Sequence, residues 1–271
     1  MILSRHRTPS GPRWFSNQKA LNVTLSDLLA VRRDRMRKML DELSPDTLEN
    51  VDHLAPIDDQ QEVWAAGVTY LRSRDERKAE STVADVYDRV YDADRPELFF
   101  KSPGWRAAGQ SGKIRIRRDS DWNVPEPELT LVINRFGEIV GYTAGNDVSS
   151  RAIEGENPLY LPQAKVYDGS CAIGPSIVLT GRDEMERLPI RCSIQRGDSV
   201  VFEGESNVVQ MKRSLQELVS FLTKETSFPH GVFLMTGTGV VPDQGFTLLF
   251  GDVVTVGVGE LELVNEVDHN L

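Results

Sequence analysis

Cysteine and histidine are both scarce in this chain. Two cysteines and four histidines occur among 271 residues. Cys171 and Cys192 do not have the spacing of a metal site, and neither has an adjacent histidine that would activate a thiol as a nucleophile. We therefore expect two free thiols in a reducing compartment.

Long apolar runs and an excess of positive charge are also missing. No stretch approaches the roughly 20 apolar residues of a membrane helix, and the start of the chain lacks the apolar segment of a signal peptide. The formal net charge of −10 argues against a nucleic-acid partner, because phosphate binding needs a basic surface. No Gly-x-Gly-x-x-Gly opens a helix after a strand, so a Rossmann dinucleotide site is unsupported. These absences predict a cytoplasmic protein without a membrane or nucleic-acid partner.

The composition and the spacing of apolar residues change near residue 58. Residues 1–58 are polar and broken, with one expected helix from Ser26 to Leu43, and residues 59–271 carry many short apolar runs separated by glycine and proline. This pattern predicts an α+β, β-rich fold in which a barrel or roll follows a small N-terminal region. A charged segment from 72 to about 91 is expected to be helical and could act as a lid, and another helix is expected at 214–222. The predicted strands include 62–68, 98–100, 113–118, 129–133, 176–180, 190–194, 200–202, 232–235, 247–250 and 253–258.

Two glutamates are expected to share one face of a strand. Glu126 and Glu128 are separated by a single residue, Pro127, so on a strand their side chains point to the same face, while the leucines that follow fill the opposite face. If residues 129–145 form a hairpin that turns near Asn134–Gly137, the returning strand carries Asp147 to the same patch. Three carboxylates brought together repel one another unless a hard cation neutralises them. An all-oxygen site favours Mg²⁺, with Mn²⁺ or Ca²⁺ as alternatives, over zinc. The alternative interpretation of the same pattern is an edge strand whose glutamates face solvent and bind no metal.

Six short motifs follow one another between residues 126 and 252. They are Glu126-Pro-Glu-Leu129, Asn146-Asp-Val-Ser-Ser-Arg151, Leu161-Pro-Gln-Ala-Lys165, Ile173-Gly-Pro175, Thr236-Gly-Thr-Gly239 and Phe250-Gly-Asp252. This ordered series resembles the fumarylacetoacetate hydrolase superfamily, and the resemblance covers residues 62–267. The longer string from Ser150 to Tyr167 looks more specifically like the branch that contains 2-keto-3-deoxy-D-arabinonate dehydratase, and Gly67–Tyr70 and Thr238–Pro242 fit the same branch.

The resemblance implies a catalytic domain of mixed β-roll or distorted-barrel type at 59–271. It also implies a divalent cation held by Glu126, Glu128 and Asp147, and it places a lysine of the family pattern at Lys165. A lysine buried near a cation is pushed towards neutrality and can serve as a base. A purely structural salt bridge to the same carboxylates is the alternative role for this lysine.

One residue of the family's hydrolases is missing here. Those enzymes place a histidine and a glutamate in the lid to activate water, and the matching positions of this chain are Ser73 and Glu76. Without the histidine, elimination is favoured over hydrolysis of a carbon-carbon bond.

The resulting hypothesis is dehydration of a 2-keto-3-deoxy sugar acid to 2,5-dioxopentanoate. The keto acid would chelate the cation, which acidifies the neighbouring CH₂. Lys165 or Glu76 would remove the proton, and Glu154 is a second acid or base candidate that could equally be a surface residue. Arg106 and Thr238 could hold the substrate carboxylate, although either residue could be structural.

Two alternatives remain at this point. One is a hydrolase or decarboxylase of acylpyruvate-like diketo acids that uses the same metal site. The other is a non-catalytic binding protein on an inherited scaffold. A homo-dimer or homo-tetramer is expected by resemblance. The sequence leaves the substrate's stereochemistry and chain length, the preferred metal, the exact oligomer and the role of residues 1–58 open.

Overall fold

Strands outnumber helices among the described residues, as the apolar runs separated by glycine and proline predict. The structure is a computed structural model that describes residues 1–42, 52–72 and 89–269. Among these residues the strands are β1 (Ile2–Thr8), β2 (Gly11–Ser16), β3 (Lys19–Ala20), β4 (Asp52–Leu54), β5 (Glu62–Gly67), β6 (Glu97–Pro103), β7 (Lys113–Ile116), β8 (Asn123–Val124), β9 (Pro127–Ile133), β10 (Ile139–Asp147), β11 (Ser149–Ser150), β12 (Cys171–Val178), β13 (Pro189–Arg196), β14 (Ser199–Asn207), β15 (Val232–Met235), β16 (Val253–Val258) and β17 (Leu261–His269). The α-helices are α1 (Leu25–Leu29), α2 (Arg33–Asp41), α3 (Arg151–Glu156), α4 (Leu161–Lys165), α5 (Arg182–Met185) and α6 (Leu215–Leu222).

Two mixed sheets form the body of the fold. The larger has the order β3-β2-β1-β12-β10-β9-β15-β5-β6, with β4 beside β1, and β15 and β5 are its parallel pair. The smaller has the order β14-β13-β16-β17-β7, with β17 and β7 parallel. A separate two-stranded ribbon joins β8 and β11. The predicted β-rich α+β fold with a mixed β-roll is confirmed.

The central strand β9 is buried on both faces. Leu129 and Leu131 pack into the apolar cluster that also contains Val254 of the smaller sheet. Val132 faces the other way, into a second cluster with Leu28 of α1. Because both faces of the strand are covered, its polar residues are buried as well, including Glu128.

The predicted hairpin is present and turns where it was expected. β9 and β10 pair antiparallel, with Gly145 opposite Glu128. The turn closes through hydrogen bonds between Asn134 and Glu138 and from Gly137 N to Asn134 O, both 3.0 Å. Gly137 has φ of +73°, in the left-handed region that glycine adopts without strain.

The N-terminal region differs from its prediction in two ways. Residues 2–20 form β1, β2 and β3 rather than irregular chain, and β1 pairs with β12. The helix expected at Ser26–Leu43 is divided into α1 and α2. The cap of α1 is Thr24, whose hydroxyl accepts from Asp27 N at 3.1 Å while the Asp27 carboxylate accepts from Thr24 N at 2.9 Å.

The helix break has a tertiary cause. At the junction, the carbonyl of Leu29 accepts a hydrogen bond from Arg135 N at 2.9 Å, and the carbonyl of Val31 accepts one from the Asn134 side chain at 3.0 Å. Both donors belong to the β9–β10 turn, so they take carbonyls that a continuous helix would use internally. The strand expected at 247–250 was also wrong, since no strand is assigned there, and Leu249 N donates to the Asp252 carboxylate at 2.8 Å.

Other predicted strands and the C-terminal helix are confirmed, with small shifts in their bounds. Ser214 caps α6 by accepting from Glu217 N at 3.1 Å. Most of the predicted lid lies outside the described residues, including Ser73 and Glu76, so its helical form stays a prediction. The division at residue 58 also stays a prediction. None of the helices in the described ranges has both the length and the apolar character needed to cross a membrane.

Candidate active site

The hairpin brings three carboxylates together inside the protein. Glu126 directly precedes β9 and Asp147 ends β10, and Asp147 N donates to Glu126 O at 2.9 Å. One ligand oxygen from each of Glu126, Glu128 and Asp147 lies within 4.8 Å of the others. The three residues are only 1–2% exposed. The predicted convergence is therefore observed, and these carboxylates are called the acidic cluster below.

Lys165 lies against the acidic cluster, as the motif comparison predicted. It is the last residue of α4, and its Nζ is 2.7 Å from Glu126 Oε2 and 3.2 Å from Asp147 Oδ2. The same ammonium group donates to Ser149 Oγ at 2.6 Å. Lys165 thus makes the salt bridges that the structural alternative required, and its role as a base stays a prediction.

Two further cations contact the cluster that sequence reasoning had not assigned to it. The Nζ of Lys101, a residue of β6, is 2.5 Å from Asp147 Oδ1. Arg151 begins α3, and its Nη2 is 3.0 Å from Glu126 Oε1. Arg151 belongs to one of the motifs given above, whereas the available signal for Lys101 was a lysine directly after the apolar run 98–100 of β6.

Glu128 lies in an environment that disfavours a negative charge on its carboxyl group. Its Oε2 accepts from the backbone N–H of Gly237 at 2.5 Å. Burial raises the pKa of Glu128 well above its usual range, and the charges of Asp147 and Glu126 raise it further. Burial likewise lowers the pKa of Lys101, although the negative charge of Asp147 opposes that shift. An uncompensated negative charge on Glu128 is therefore costly.

The donor set fits a hard divalent cation. Two oxygens on opposite sides of one such ion are about 4–5 Å apart, and the carboxylate oxygens of the acidic cluster lie within a similar distance of one another. The candidate ligands are all oxygen, which suits magnesium, manganese or calcium better than zinc. A cation there would offset the charge that burial destabilises on Glu128.

The remaining predicted site residues are placed differently. Glu154 is buried in α3, with its carboxylate 3.9 Å from Arg151 Nη1. The hydroxyl of Thr238 is used locally, since it accepts from Val240 N at 3.1 Å and donates to Val240 O at 3.0 Å. Among the described residues, Arg106 pairs with Asp168, with Nε 3.2 Å from Oδ1, rather than with the acidic cluster.

Comparison with known proteins defines the class. Residues 62–268 match the family model described as fumarylacetoacetate (FAA) hydrolase C-terminal. The chain belongs to this family, which confirms the resemblance seen in its motifs.

Several relatives in this family are dehydratases by name. A probable 2-keto-3-deoxyxylonate dehydratase of Haloferax volcanii is 50% identical over 208 residues, covering 75% of this chain and 71% of that protein. The 2-dehydro-3-deoxy-D-arabinonate dehydratase of Saccharolobus solfataricus is 42% identical over 211 residues, covering 75% of this chain and 70% of that protein. A solved structure of 2-keto-3-deoxy-D-arabinonate dehydratase complexed with magnesium and 2,5-dioxopentanoate superposes with a TM-score of 0.85 at 32% identity, covering 100% of this chain and 99% of that chain.

Proposed function

We propose that this protein is a hydro-lyase that dehydrates a 2-keto-3-deoxy sugar acid of the 2-dehydro-3-deoxy-D-arabinonate type to 2,5-dioxopentanoate, with Mg²⁺ as its cofactor. The observation that carries the proposal is the buried acidic cluster next to Lys165, in a fold shared over its whole length with a dehydratase solved with magnesium and that product. The two relatives named above, at 50% and 42% identity, point to the same reaction class.

The two substrate names among the relatives are chemically compatible. In the D series, the 2-keto-3-deoxy acids of xylonate and arabinonate are one compound. The two carbons that distinguish the parent sugars have lost their stereochemistry, one by oxidation to the ketone and the other by loss of its hydroxyl. A single pentonate substrate therefore accounts for both relatives.

Glu126, Glu128 and Asp147 are the residues that would hold the cation. When bound, the cation supplies positive charge next to the keto and carboxylate oxygens of the substrate, which makes the adjacent CH₂ more acidic. The backbone N–H of Gly237 orients Glu128 through the 2.5 Å hydrogen bond. Arg151 and Lys165 orient Glu126 from two sides.

We assign the proton transfer to Lys165. Its Nζ donates to Glu126, Asp147 and Ser149, and these contacts hold it beside the acidic cluster. To act as the base, this amine must first release one of its three protons to solvent, because an ammonium group has no free electron pair. The base removes a proton from the CH₂ beside the ketone, and the hydroxyl of the next carbon takes up a proton and departs as water. The unsaturated keto acid that remains, with its terminal CH₂OH group, then tautomerises to 2,5-dioxopentanoate without any further loss or gain of atoms. Glu154 and Glu76 remain candidates for the group that donates to the leaving hydroxyl.

The substrate-binding roles of Arg106 and Thr238 are part of the same proposal. For Arg106 to bind the substrate carboxylate, its guanidinium must exchange Asp168 for the substrate. Thr238 would contribute through the backbone of its turn, because its hydroxyl already bonds to Val240. The homo-oligomeric state and the cytoplasmic location stay predictions.

The direct test is product analysis. The purified protein, loaded with Mg²⁺, is incubated with 2-keto-3-deoxy-D-arabinonate and separately with acetylpyruvate, and the products are identified by mass spectrometry with an EDTA control. We expect loss of one water from the sugar acid, abolished by EDTA. Cleavage of acetylpyruvate without dehydration of the sugar acid would refute the proposal and assign the protein to the hydrolases.

A further inference from the structure

Lys101 is a fully buried lysine whose ammonium group has three oxygen partners, two through hydrogen bonds and one through an ion pair. Its Nζ is 2.5 Å from Asp147 Oδ1 and donates to Val148 O at 3.0 Å and to Lys165 O at 2.5 Å. The side chain is 0% exposed. An ammonium group has three hydrogens and no acceptor, and the two hydrogen bonds together with the ion pair to Asp147 define one position for it.

The three oxygen partners of Lys101 belong to two different parts of the candidate active site. Asp147 and Val148 lie at the end of β10, next to the acidic cluster. The carbonyl of Lys165 ends α4, where backbone acceptors lack partners within the helix and a cation is electrostatically favourable. Ser170 Oγ donates to this same carbonyl at 2.9 Å. Lys101 therefore joins the strand that carries a carboxylate ligand to the helix that carries the proposed base.

The contact with Lys101 fixes the orientation of the Asp147 carboxylate. Lys101 contacts Oδ1, while Oδ2 faces Lys165 at 3.2 Å. Without Lys101, the Asp147 carboxylate can rotate about its side-chain bonds, and the carbonyl of Lys165 loses one of its two hydrogen-bond donors. Both changes alter the distance between Lys165 and the acidic cluster.

We propose that Lys101 is a positioning residue of the active site, which fixes the Asp147 carboxylate and the end of α4 and so sets Lys165 against the acidic cluster. The inference rests on the proposed function for its kinetic consequences, although its structural and metal-binding consequences can be measured without any turnover. Groups that orient metal ligands typically change metal affinity or activity 10- to 100-fold when removed.

The test uses Lys101→Met, which keeps an unbranched side chain one atom shorter than lysine and removes its charge. Lys101→Gln retains amide donors for one or both carbonyls without the charge, and it provides the same test if the methionine variant does not fold. Lys113→Met is the matched control, because Lys113 lies on the smaller sheet and its side chain is 46% exposed beside Glu266. Leu28→Ala controls for lost stability, because Leu28 is buried in the second apolar cluster.

Three measurements follow on correctly folded protein. Crystal structures should show Lys165 Nζ displaced from Asp147 by about 1 Å or more, a shift that can reduce turnover roughly 100-fold. Calorimetric titration with Mg²⁺ alone should show binding weakened about tenfold. With saturating Mg²⁺, kcat should fall about 100-fold with KM changed less than about threefold, and Lys101→Met in a Lys165→Met background should cause little further loss.

The measurements distinguish a role of Lys101 in fold stability alone from a role in positioning Lys165. If Lys101 only stabilises the fold, its variants should behave like Leu28→Ala, with a lower Tm and normal kcat, KM and Mg²⁺ affinity per folded molecule. That result, or an unchanged geometry of Lys165 and Asp147 in the variant crystal structure, would overturn the inference. A wild-type protein that binds Mg²⁺ and does not dehydrate the sugar acid would instead overturn the proposed function, and the structural and calorimetric measurements would still decide the role of Lys101.

Discussion

Replacing Glu128 by glutamine should separate metal binding from folding. The Glu128 carboxyl is buried, and its pKa is raised by that burial and by the charges of Asp147 and Glu126. Glutamine resembles the protonated acid in size and polarity, so it removes a charge that the metal-free fold disfavours. We expect the metal-free variant to be as stable as the wild-type protein or more stable. The same change deletes one of three anionic ligands, so stabilisation by Mg²⁺ should be lost.

The size of the effect follows from linkage. A ligand at 100 times its Kd stabilises the folded state by about 2.7 kcal/mol. One kcal/mol corresponds to roughly 2–4 °C in Tm for chains of about this size, so saturating Mg²⁺ should raise the wild-type Tm by roughly 5–11 °C. For Glu128→Gln the rise should be close to zero.

The assay is scanning calorimetry of each protein in EDTA and in excess Mg²⁺. Glu262→Gln is the matched control, because Glu262 is an exposed residue of β17 and should retain the full wild-type increase. An undiminished Mg²⁺-induced increase in the Tm of Glu128→Gln would show that Glu128 is not a ligand. A large loss of Tm in EDTA would refute the argument that its charge is unfavourable in the metal-free fold.

The other predictions use the same site. Glu126→Gln should destabilise the protein by up to about 3–5 kcal/mol in urea unfolding, because the buried cations of Arg151 and Lys165 lose the carboxylate that they share and retain Glu154 and Asp147; stability equal to that of Glu128→Gln would contradict this. Lys165→Met should still bind Mg²⁺ in calorimetry and lose roughly 10²–10⁴-fold in kcat, and a near-normal rate would move the base to another residue. Because the pKa of Glu128 is raised in the folded protein, the metal-free folded state holds this proton more tightly than the unfolded chain does. The free energy of unfolding of the metal-free protein should therefore fall as pH rises from the ordinary carboxyl range through the raised pKa. Mg²⁺ must displace this proton, so its affinity should increase with pH over the same window, and titrations in buffers of different ionisation enthalpy should detect proton release; affinity independent of pH would exclude this coupling.

Local patterning was sufficient to locate the acidic cluster. Glu126 and Glu128 share a face because strand side chains alternate, and the turn at Asn134–Gly137 returns the chain after a short loop. These relations involve neighbouring residues on one hairpin, so periodicity and turn chemistry specify them. The ordered motifs added the family, and the family model covers residues 62–268.

Local patterning was misleading where distant residues compete for the backbone. The sequence from Ser26 to Leu43 has helical character throughout, yet the β9–β10 turn bonds to the carbonyls of Leu29 and Val31 and divides it. The polar composition of residues 2–20 concealed three strands. Strand formation there depends on a neighbour, β12, that is far away in the sequence.

The chain's own sequence therefore determined the type of fold, the family, and the three carboxylates with their neighbouring lysine. The sequence did not show which further cations, besides Lys165, contact these carboxylates. Lys101 reaches backbone acceptors 47 and 64 residues away, and Arg106, which the sequence placed near the substrate, contacts Asp168. Such pairings depend on how β6, β10 and α4 pack, because a buried charge takes whichever partner the folded chain brings within hydrogen-bonding distance.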